Sequence, residues 1–97
     1  MDRNDDITTL RLRIEGEVQG VGFRYFAIGE ARKLAIDGWV LNRSDGSVEA
    51  LASGSTRAIE AFVAACMRGP PGAKVKNVDL HSAEPPTEQG FHRRPSF

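Results

Sequence analysis

GEVQGVGFR, residues 16–24, joins two segments of the chain that differ in their periodicity. Before it, apolar residues alternate with charged ones over residues 8–16, which predicts a β-strand with one buried and one exposed face. After it, apolar residues recur at intervals of three and four over residues 22–35, which predicts an amphipathic helix. The stretch is therefore a glycine-rich turn that leads from a strand into a helix.

Three glycines and one arginine give this turn the composition of an anion-binding loop. Glycine permits positive φ, which can direct successive backbone N–H groups toward one point, and a helix N-terminus adds partial positive charge there. The guanidinium of Arg24 would add a full charge and a planar fork that fits phosphate. On the loop alone, a tight connection with Arg24 at the surface fits equally well.

The composition is that of one globular domain, and we predict a flexible tail over residues 1–6 and a single domain over residues 7–97. The chain has 97 residues, 13 basic and 13 acidic, so no net charge attracts nucleic acid or a membrane. A single cysteine, Cys66, excludes a disulfide within the chain and a cysteine-based zinc cluster. The acidic N-terminus resembles no secretory signal, and no apolar run approaches the roughly twenty residues that span a bilayer. We expect a cytoplasmic protein and a monomer.

The chain after the first helix predicts a β-hairpin. The pair Asp37-Gly38 indicates a turn, and a strand follows over residues 39–42. The hairpin signal Asp45-Gly46 then returns the chain as an antiparallel strand over residues 47–52.

A second helix and two more strands complete the chain. Ser55 or Thr56 would cap this helix, whose apolar residues form one stripe: Ile59, Phe62, Val63, Cys66 and Met67. Apolar residues at 75, 78 and 80 indicate a fourth strand, and Pro95 restricts a short strand over residues 90–94 to a sheet edge. The order β-α-β-β-α-β is the split βαβ arrangement. We predict an α+β, ferredoxin-like sandwich, with two helices on one face of a four- to five-stranded, mostly antiparallel sheet.

Asn42, at the end of the second predicted strand, is the second candidate site residue. In the split βαβ arrangement the first two strands run parallel, so Asn42 and the glycine-rich turn should lie at one end of the sheet. An amide both donates and accepts hydrogen bonds, and it could hold a water beside a phosphate bound at Arg24. Taken by itself, an asparagine before a hairpin is better explained as a turn former. The topology is what favours a functional role.

Two segments together resemble the signature motifs of the acylphosphatase family: residues 16–24, GEVQGVGFR, and residues 38–49, GWVLNRSDGSVE. The resemblance extends over about residues 8–92. It implies the ferredoxin-like sandwich and an enzyme that hydrolyses the carboxyl-phosphate bond of small acyl phosphates, releasing inorganic phosphate without a metal or cofactor. It also implies that Asn42 orients the attacking water. The phosphoryl group would be bound by loop residues together with a guanidinium: Gln19, Gly20, Val21, Gly22, Phe23 and Arg24.

The implied chemistry suits these few polar residues, because a carboxylate is a good leaving group and positioning with charge stabilisation can supply most of the catalysis. The other reactive side chains of the chain lie outside the motifs. His81 and His92 are in the weakly patterned last third, and Cys66 lies on the apolar stripe of the second helix. We expect structural or surface roles for all three.

Two segments depart from the family pattern. Family members often have glycine at the end of the first helix, where this chain has Ala35. An alanine held in a left-handed conformation is strained by about 1–2 kcal/mol, so we expect this helix to end differently. The ending FHRRPSF, residues 91–97, leaves the pairing of the last strand open.

Within the first helix, Gly29 should cost stability, and it could permit close packing on the sheet.

Two other functions remain open. A ferredoxin-like sheet can be a non-catalytic phosphate- or RNA-binding platform. Against this, the exposed face of the first strand mixes Arg11, Arg13 and Glu15, and the strand has no aromatic residue. The chain could also be a detached form of the acylphosphatase-like domain of carbamoyl-transfer maturation proteins, whose zinc-binding cysteine motifs it lacks.

Overall fold

The computed structural model, which describes residues 6–95, contains five strands and two helices. The elements are β1 (Ile7–Glu17), α1 (Phe23–Lys33), β2 (Asp37–Asn42), β3 (Val48–Ser55), α2 (Thr56–Arg68), β4 (Lys74–Ser82) and β5 (Phe91–Arg93). The strand order is β4-β1-β3-β2-β5, and every neighbouring pair is antiparallel except β2 and β5. The predicted ferredoxin-like sandwich is thereby confirmed. The flexible tail is predicted over residues 1–6. Residues 1–5 lie outside the described part of the chain.

The core lies between the sheet and the two helices. On β1, Leu12 and Ile14 are fully buried while the arginines between and beside them are exposed, as the alternating pattern predicts. The helices contribute the other half of the core, from residues spaced three and four apart. The buried helix residues are Phe23, Ala27, Ala31, Ile59, Phe62, Ala65 and Cys66. Among the described residues, no helix is both long enough and apolar enough to cross a membrane.

The turn predicted at Asp37-Gly38 is wrong, because these two residues begin β2. At Gly38 a Cβ atom would lie only 1.8 Å from the carbonyl oxygen of Leu51, so the glycine serves a close approach of β3. The Gly38 amide donates to the oxygen of Gly90, whose own amide donates to Asp37 Oδ1 over 2.8 Å. The local turn signal is therefore overridden by pairing with distant parts of the chain.

The end of α1 also differs from the expectation. Ala35 adopts a φ of +57° in spite of its Cβ atom. The amide of Ile36 donates to the oxygen of Ala31 over 2.9 Å, and the amide of Ala35 donates to that of Arg32 over 3.3 Å, the pattern of a Schellman motif. Ile36 is buried beyond this turn, so hydrogen bonds and apolar burial offset the strain at Ala35.

Two smaller expectations have opposite outcomes. Ser55 caps α2, since its Oγ accepts a hydrogen bond from the amide of Ala58 over 3.1 Å, as predicted. Gly29 is exposed, and an added Cβ would have no atom within 4 Å, so the suggestion that it permits close packing on the sheet is wrong. The last strand pairs with β2 at an edge of the sheet, which answers the question left open by its unusual sequence.

Candidate active site

The ends of β1 and β2 lie at the same end of the sheet, with β3 between them. Ile14 on β1 and Asn42 on β2 both pair with Val48 of β3. At about 4.8 Å per strand spacing, the two positions are separated by roughly 10 Å. The loop that follows β1, residues 18–22, therefore leaves the sheet at the end where β2 finishes.

Asn42 lies on the face of the sheet that the helices cover. It follows the fully buried Val40 by two residues, so both side chains project from the same face. Across the sheet its row contains Val48, Ile14 and Val78, all apolar. Asn42 is half-buried and lies at the end of this row. It therefore adds one polar amide to an otherwise apolar row on the helix-covered face of the sheet.

The loop over residues 18–22 is anchored by a buried residue and shaped by two glycines. Val18 is 1% exposed. Gly20 and Gly22 have φ of +76° and +80°, and an added Cβ at either would meet no atom within 4 Å. These glycines are thus required for their left-handed conformation rather than for lack of space.

The N-terminus of α1 opens from this loop without a side-chain cap. Gly22 is the N-cap residue and has no side chain, and the first turn of the helix contains no acidic residue. Phe23 is buried in the core and fixes the start of the helix, and Arg24 follows it, half-buried. The positive end of the helix dipole and residue Arg24 therefore both follow directly on this loop.

The side chain of Gln19 joins the loop to the β2–β3 hairpin. Its Nε2 donates hydrogen bonds to the carbonyl oxygens of Arg43, over 2.8 Å, and Ser47, over 2.9 Å. The sequence placed Gln19 among the phosphate-binding loop residues and had no signal for these contacts. They depend on carbonyl groups 24 and 28 residues further along the chain.

Asp45 organises the other side of the same hairpin. Its Oδ1 accepts hydrogen bonds from the amide of Ser47, over 2.9 Å, and from the hydroxyl of Ser47, over 2.6 Å. Its Oδ2 accepts a hydrogen bond from the guanidinium of Arg13 on β1. The Ser47 hydrogen bonds, followed by the charges of Arg13 and Arg43, lower the pKa of Asp45. Asp45 therefore stays ionised and ties the hairpin to β1.

The other reactive side chains have the surroundings of structural or surface groups. Cys66 is buried in the core, and burial with the nearby charge of Glu30 raises the pKa of its thiol to about 12. Its thiol is thus protonated at neutral pH. His81 and His92 are exposed on β4 and β5. In the part of the chain from residue 6 to 95, no group of three or more His, Cys, Asp or Glu side chains could hold a metal ion.

A cleft of about 660 Å³ adjoins the start of the loop on the charged side of the sheet. It lies between the β2–β3 hairpin and the beginning of β4, and charged side chains of both signs line it, among them Glu17, Lys74 and Lys76. Gly16 lines it as well and forms an irregularity in the pairing of β1 with β4. The sequence contained no signal for this cleft.

Comparison with known proteins agrees with this arrangement of loop, hairpin and helix. The model of the acylphosphatase family matches residues 10–93. The chain belongs to the acylphosphatase family. An acylphosphatase of Acidiphilium cryptum is 51% identical over 83 residues, which cover 86% of this chain and 91% of that protein.

Solved structures extend the likeness to the three-dimensional fold. An acylphosphatase from Coxiella burnetii has a TM-score of 0.87 at 33% identity, covering 93% of this chain and 95% of that chain. Full-length HypF, in its phosphate- and nucleotide-bound form, has a TM-score of 0.86 at 30% identity, but only 12% of its chain is covered. The family resemblance and the acylphosphatase enzyme class predicted from the two motifs are confirmed. The individual roles of Arg24 and Asn42 stay predictions.

Proposed function

We propose that this acylphosphatase hydrolyses small acyl phosphates to a carboxylate and inorganic phosphate, and that Arg24, the loop amides and Asn42 perform the reaction. The observation that carries the proposal is that β1, which leads into the loop and the uncapped N-terminus of α1, and β2, which ends at Asn42, end on the same side of the sheet. Membership of the family and the acylphosphatases among its relatives support the substrate class.

The phosphoryl group is bound by the loop and by Arg24. Amides between residues 19 and 24, freed by the left-handed glycines and the absence of a cap, donate to the phosphoryl oxygens. The Arg24 guanidinium offers two parallel N–H groups to the same oxygens. The backbone donors are held by the loop and the helix, so they can stabilise the charge that develops in the transition state with little reorganisation.

Asn42 holds the attacking water on the opposite side of the phosphorus atom. Its amide accepts one hydrogen bond from the water and directs an oxygen lone pair toward phosphorus. The water oxygen forms a new bond to phosphorus, the bond from phosphorus to the acyl oxygen breaks, and the carboxylate leaves with the bonding electron pair. The water's proton passes to the phosphate or to solvent. Because the departing carboxylate is a weak base, the step needs neither a general acid nor a covalent intermediate.

A thiol nucleophile would require a different arrangement. Cys66 is fully buried, and its pKa of about 12 keeps the thiol protonated at neutral pH. We therefore propose direct attack by water. The family resemblance further implies that the reaction needs no metal ion.

The non-catalytic RNA-binding alternative has one observation in its favour. Trp39 lies on the face of the sheet away from the helices, with the Arg94 guanidinium 5.2 Å from its ring centroid. On the same face, however, Arg13 pairs with Asp45, and Arg43 pairs with Glu49. Carboxylates compete for the cations that RNA phosphates would need, so this face is a poor nucleic-acid surface.

Release of phosphate from benzoyl phosphate in the presence of a metal chelator tests the proposal. The wild-type protein should accelerate release above the spontaneous rate. Arg24→Ala should lose at least about 100-fold in kcat and should also lose inhibition by inorganic phosphate, because it removes a donor to the transition-state charge. Arg24→Lys, which keeps the charge without the planar fork, should recover only part of the loss.

Asn42→Ala separates water positioning from phosphate binding. We expect kcat to fall at least about 100-fold, with the inhibition constant of phosphate within about threefold of the wild-type value. Asn42→Asp is the matched variant of nearly equal size. Equal losses of turnover and phosphate affinity in Asn42→Ala would contradict the assigned role, and absence of turnover in the wild-type protein would contradict the enzyme proposal as a whole.

A further inference from the structure

Gln19 belongs to the loop over residues 18–22, and its side chain connects this loop to the β2–β3 hairpin. Both N–H groups of its side-chain amide have an acceptor, since Nε2 contacts the oxygens of Arg43 and Ser47 at 2.8 and 2.9 Å. We propose that Gln19 is a positioning residue, which sets the distance between the bound phosphoryl group and the water held by Asn42. This inference rests on the function proposed above.

The two accepting carbonyl groups lie one residue beyond the Asn42–Val48 pair, on the side of the hairpin turn. Arg43 directly follows Asn42 at the end of β2, and Ser47 directly precedes Val48, the residue with which Asn42 pairs on β3. The Gln19 side chain therefore contacts the first residue after β2 and the last residue before β3. Each of these lies one residue from the Asn42–Val48 pair. Any movement of Gln19 relative to the hairpin changes the distance from the loop to Asn42.

The hairpin's own hydrogen bonds set its shape but not its distance from the loop. The amide of Arg43 donates to the oxygen of Ser47 over 2.9 Å, and that of Gly46 donates to the oxygen of Arg43 over 3.1 Å. Both bonds lie within the hairpin. On the charged side of the sheet, the contact between Arg13 and Asp45 joins the hairpin to β1. Gln19 supplies the corresponding contact on the side of the loop.

The loop needs such a contact because of its composition. Gly20 and Gly22 give it the left-handed conformations that a phosphate-binding loop requires, but glycine also leaves the backbone freer to move than any other residue. Displacement of a reacting group by about 1 Å can reduce a rate on the order of 100-fold. A side chain that fixes the loop to the hairpin keeps the phosphoryl group and the water in attacking geometry.

In this proposal the side-chain amide of Gln19 does not itself bind the phosphoryl group. Both of its N–H groups are engaged by backbone oxygens, so they are not available to the phosphoryl oxygens. Removal of the side chain should therefore affect the rate of the chemical step rather than the affinity for phosphate.

Gln19→Met is the direct test, because methionine has nearly the same length and no donor. On benzoyl phosphate we expect kcat to fall about 10- to 100-fold, with the phosphate inhibition constant within about threefold of wild type. Gln19→Leu, which likewise has no donor and adds no charge, should show the same split. Arg13→Met is the matched control, since it removes the hairpin's contact on the other side of the sheet and should change kcat less than threefold. Melting temperatures show that each variant is folded at the assay temperature.

A double-mutant cycle distinguishes positioning from a general structural role. In the Asn42→Ala background, Gln19→Met should cost less than about threefold in kcat, because no water-holding amide is left to be positioned. A full additional loss in that background, a parallel loss of phosphate affinity, or an unchanged kcat in Gln19→Met alone would overturn the inference. An unchanged kcat in Asn42→Ala alone would instead contradict the proposed function, whatever the effect at Gln19.

Discussion

The two strand-to-helix junctions of this fold occupy equivalent places in its two halves but are built in opposite ways. At the β3–α2 junction the chain passes directly from Ser55 into the helix, and the hydroxyl of Ser55 accepts the amide of Ala58. At the β1–α1 junction five residues, 18–22, intervene, and the helix begins after Gly22, which has no side chain to offer. One helix start is closed by its own sequence and the other is left open.

Under the proposed function, the same backbone groups provide stability at one junction and ligand binding at the other. Every helix begins with N–H groups that lack intrahelical acceptors. In α2 a serine satisfies one of them, and the hydroxyls of Thr8 and Thr56, 2.7 Å apart, attach the start of the helix to β1. In α1 the corresponding groups have no such cap, and in the proposed function a ligand anion takes its place.

The largest expected effect comes from closing the open junction with a charge of the chain's own. Gly22→Asp and Gly22→Asn adopt left-handed φ with similar strain, and an added Cβ has open space at this position. A carboxylate about 5 Å from a phosphoryl charge costs about 3 kcal/mol at an effective dielectric constant of about 20. We therefore expect kcat/KM for benzoyl phosphate to be about 100-fold lower in the Asp variant than in the Asn variant.

Salt dependence provides a control for this pair. Raising the ionic strength from about 0.01 to 1 M should reduce the difference between Gly22→Asp and Gly22→Asn, since it screens the added charge. Equal activities of the two variants at low salt would show that no anion binds near the start of α1, and the comparison of the two junctions would lose its functional meaning.

The two junctions and the elements around them also show which parts of this protein can be predicted from its sequence. The alternation in β1, the stripe of α2 and the Asp45-Gly46 hairpin are local patterns, and they were sufficient for the topology and hence for bringing Asn42 to the end of the sheet near the loop. The cap at Ser55 is equally local. Such features depend on residues a few positions apart, which is why spacing alone indicates them.

Two features that the sequence did not indicate, the start of β2 and the contacts of Gln19, depend on distant partners. Asp37-Gly38 has the composition of a turn, but β3 approaches Gly38 too closely for any side chain, and Gly90 supplies hydrogen bonds that draw both residues into β2. The amide of Gln19 finds its acceptors on a hairpin that the fold brings to it. Tertiary contacts of this kind override local propensity.

A smaller effect is expected from opening the closed junction. Ser55→Ala should destabilise the protein by about 1 kcal/mol, measured by urea unfolding, because an amide of α2 loses its acceptor. Turnover should stay within twofold of wild type. Ser55 pairs with Ile7 at the start of β1, so it lies at the end of the sheet opposite the loop. Ser55→Asp, which retains an acceptor, is the matched control, and a loss of activity in Ser55→Ala without loss of stability would contradict the division of roles.

The smallest expected effect concerns the other end of α1, where the two helices differ again. After α2 the positive φ belongs to Gly69, whereas after α1 it belongs to Ala35, at +57°. Ala35→Gly should stabilise the protein by about 0.5–1 kcal/mol, because it removes left-handed strain of about 1–2 kcal/mol and adds the entropic cost of glycine in the unfolded chain.

Gly29→Ala, at an exposed helical position with open space for the methyl group, should stabilise the protein by a similar amount. Urea unfolding of both single variants and the double variant measures these terms. They should add, since each acts through its own backbone conformation. A destabilised Ala35→Gly variant would mean that the Schellman bonds of Ile36 and Ala35 form without appreciable strain at this alanine.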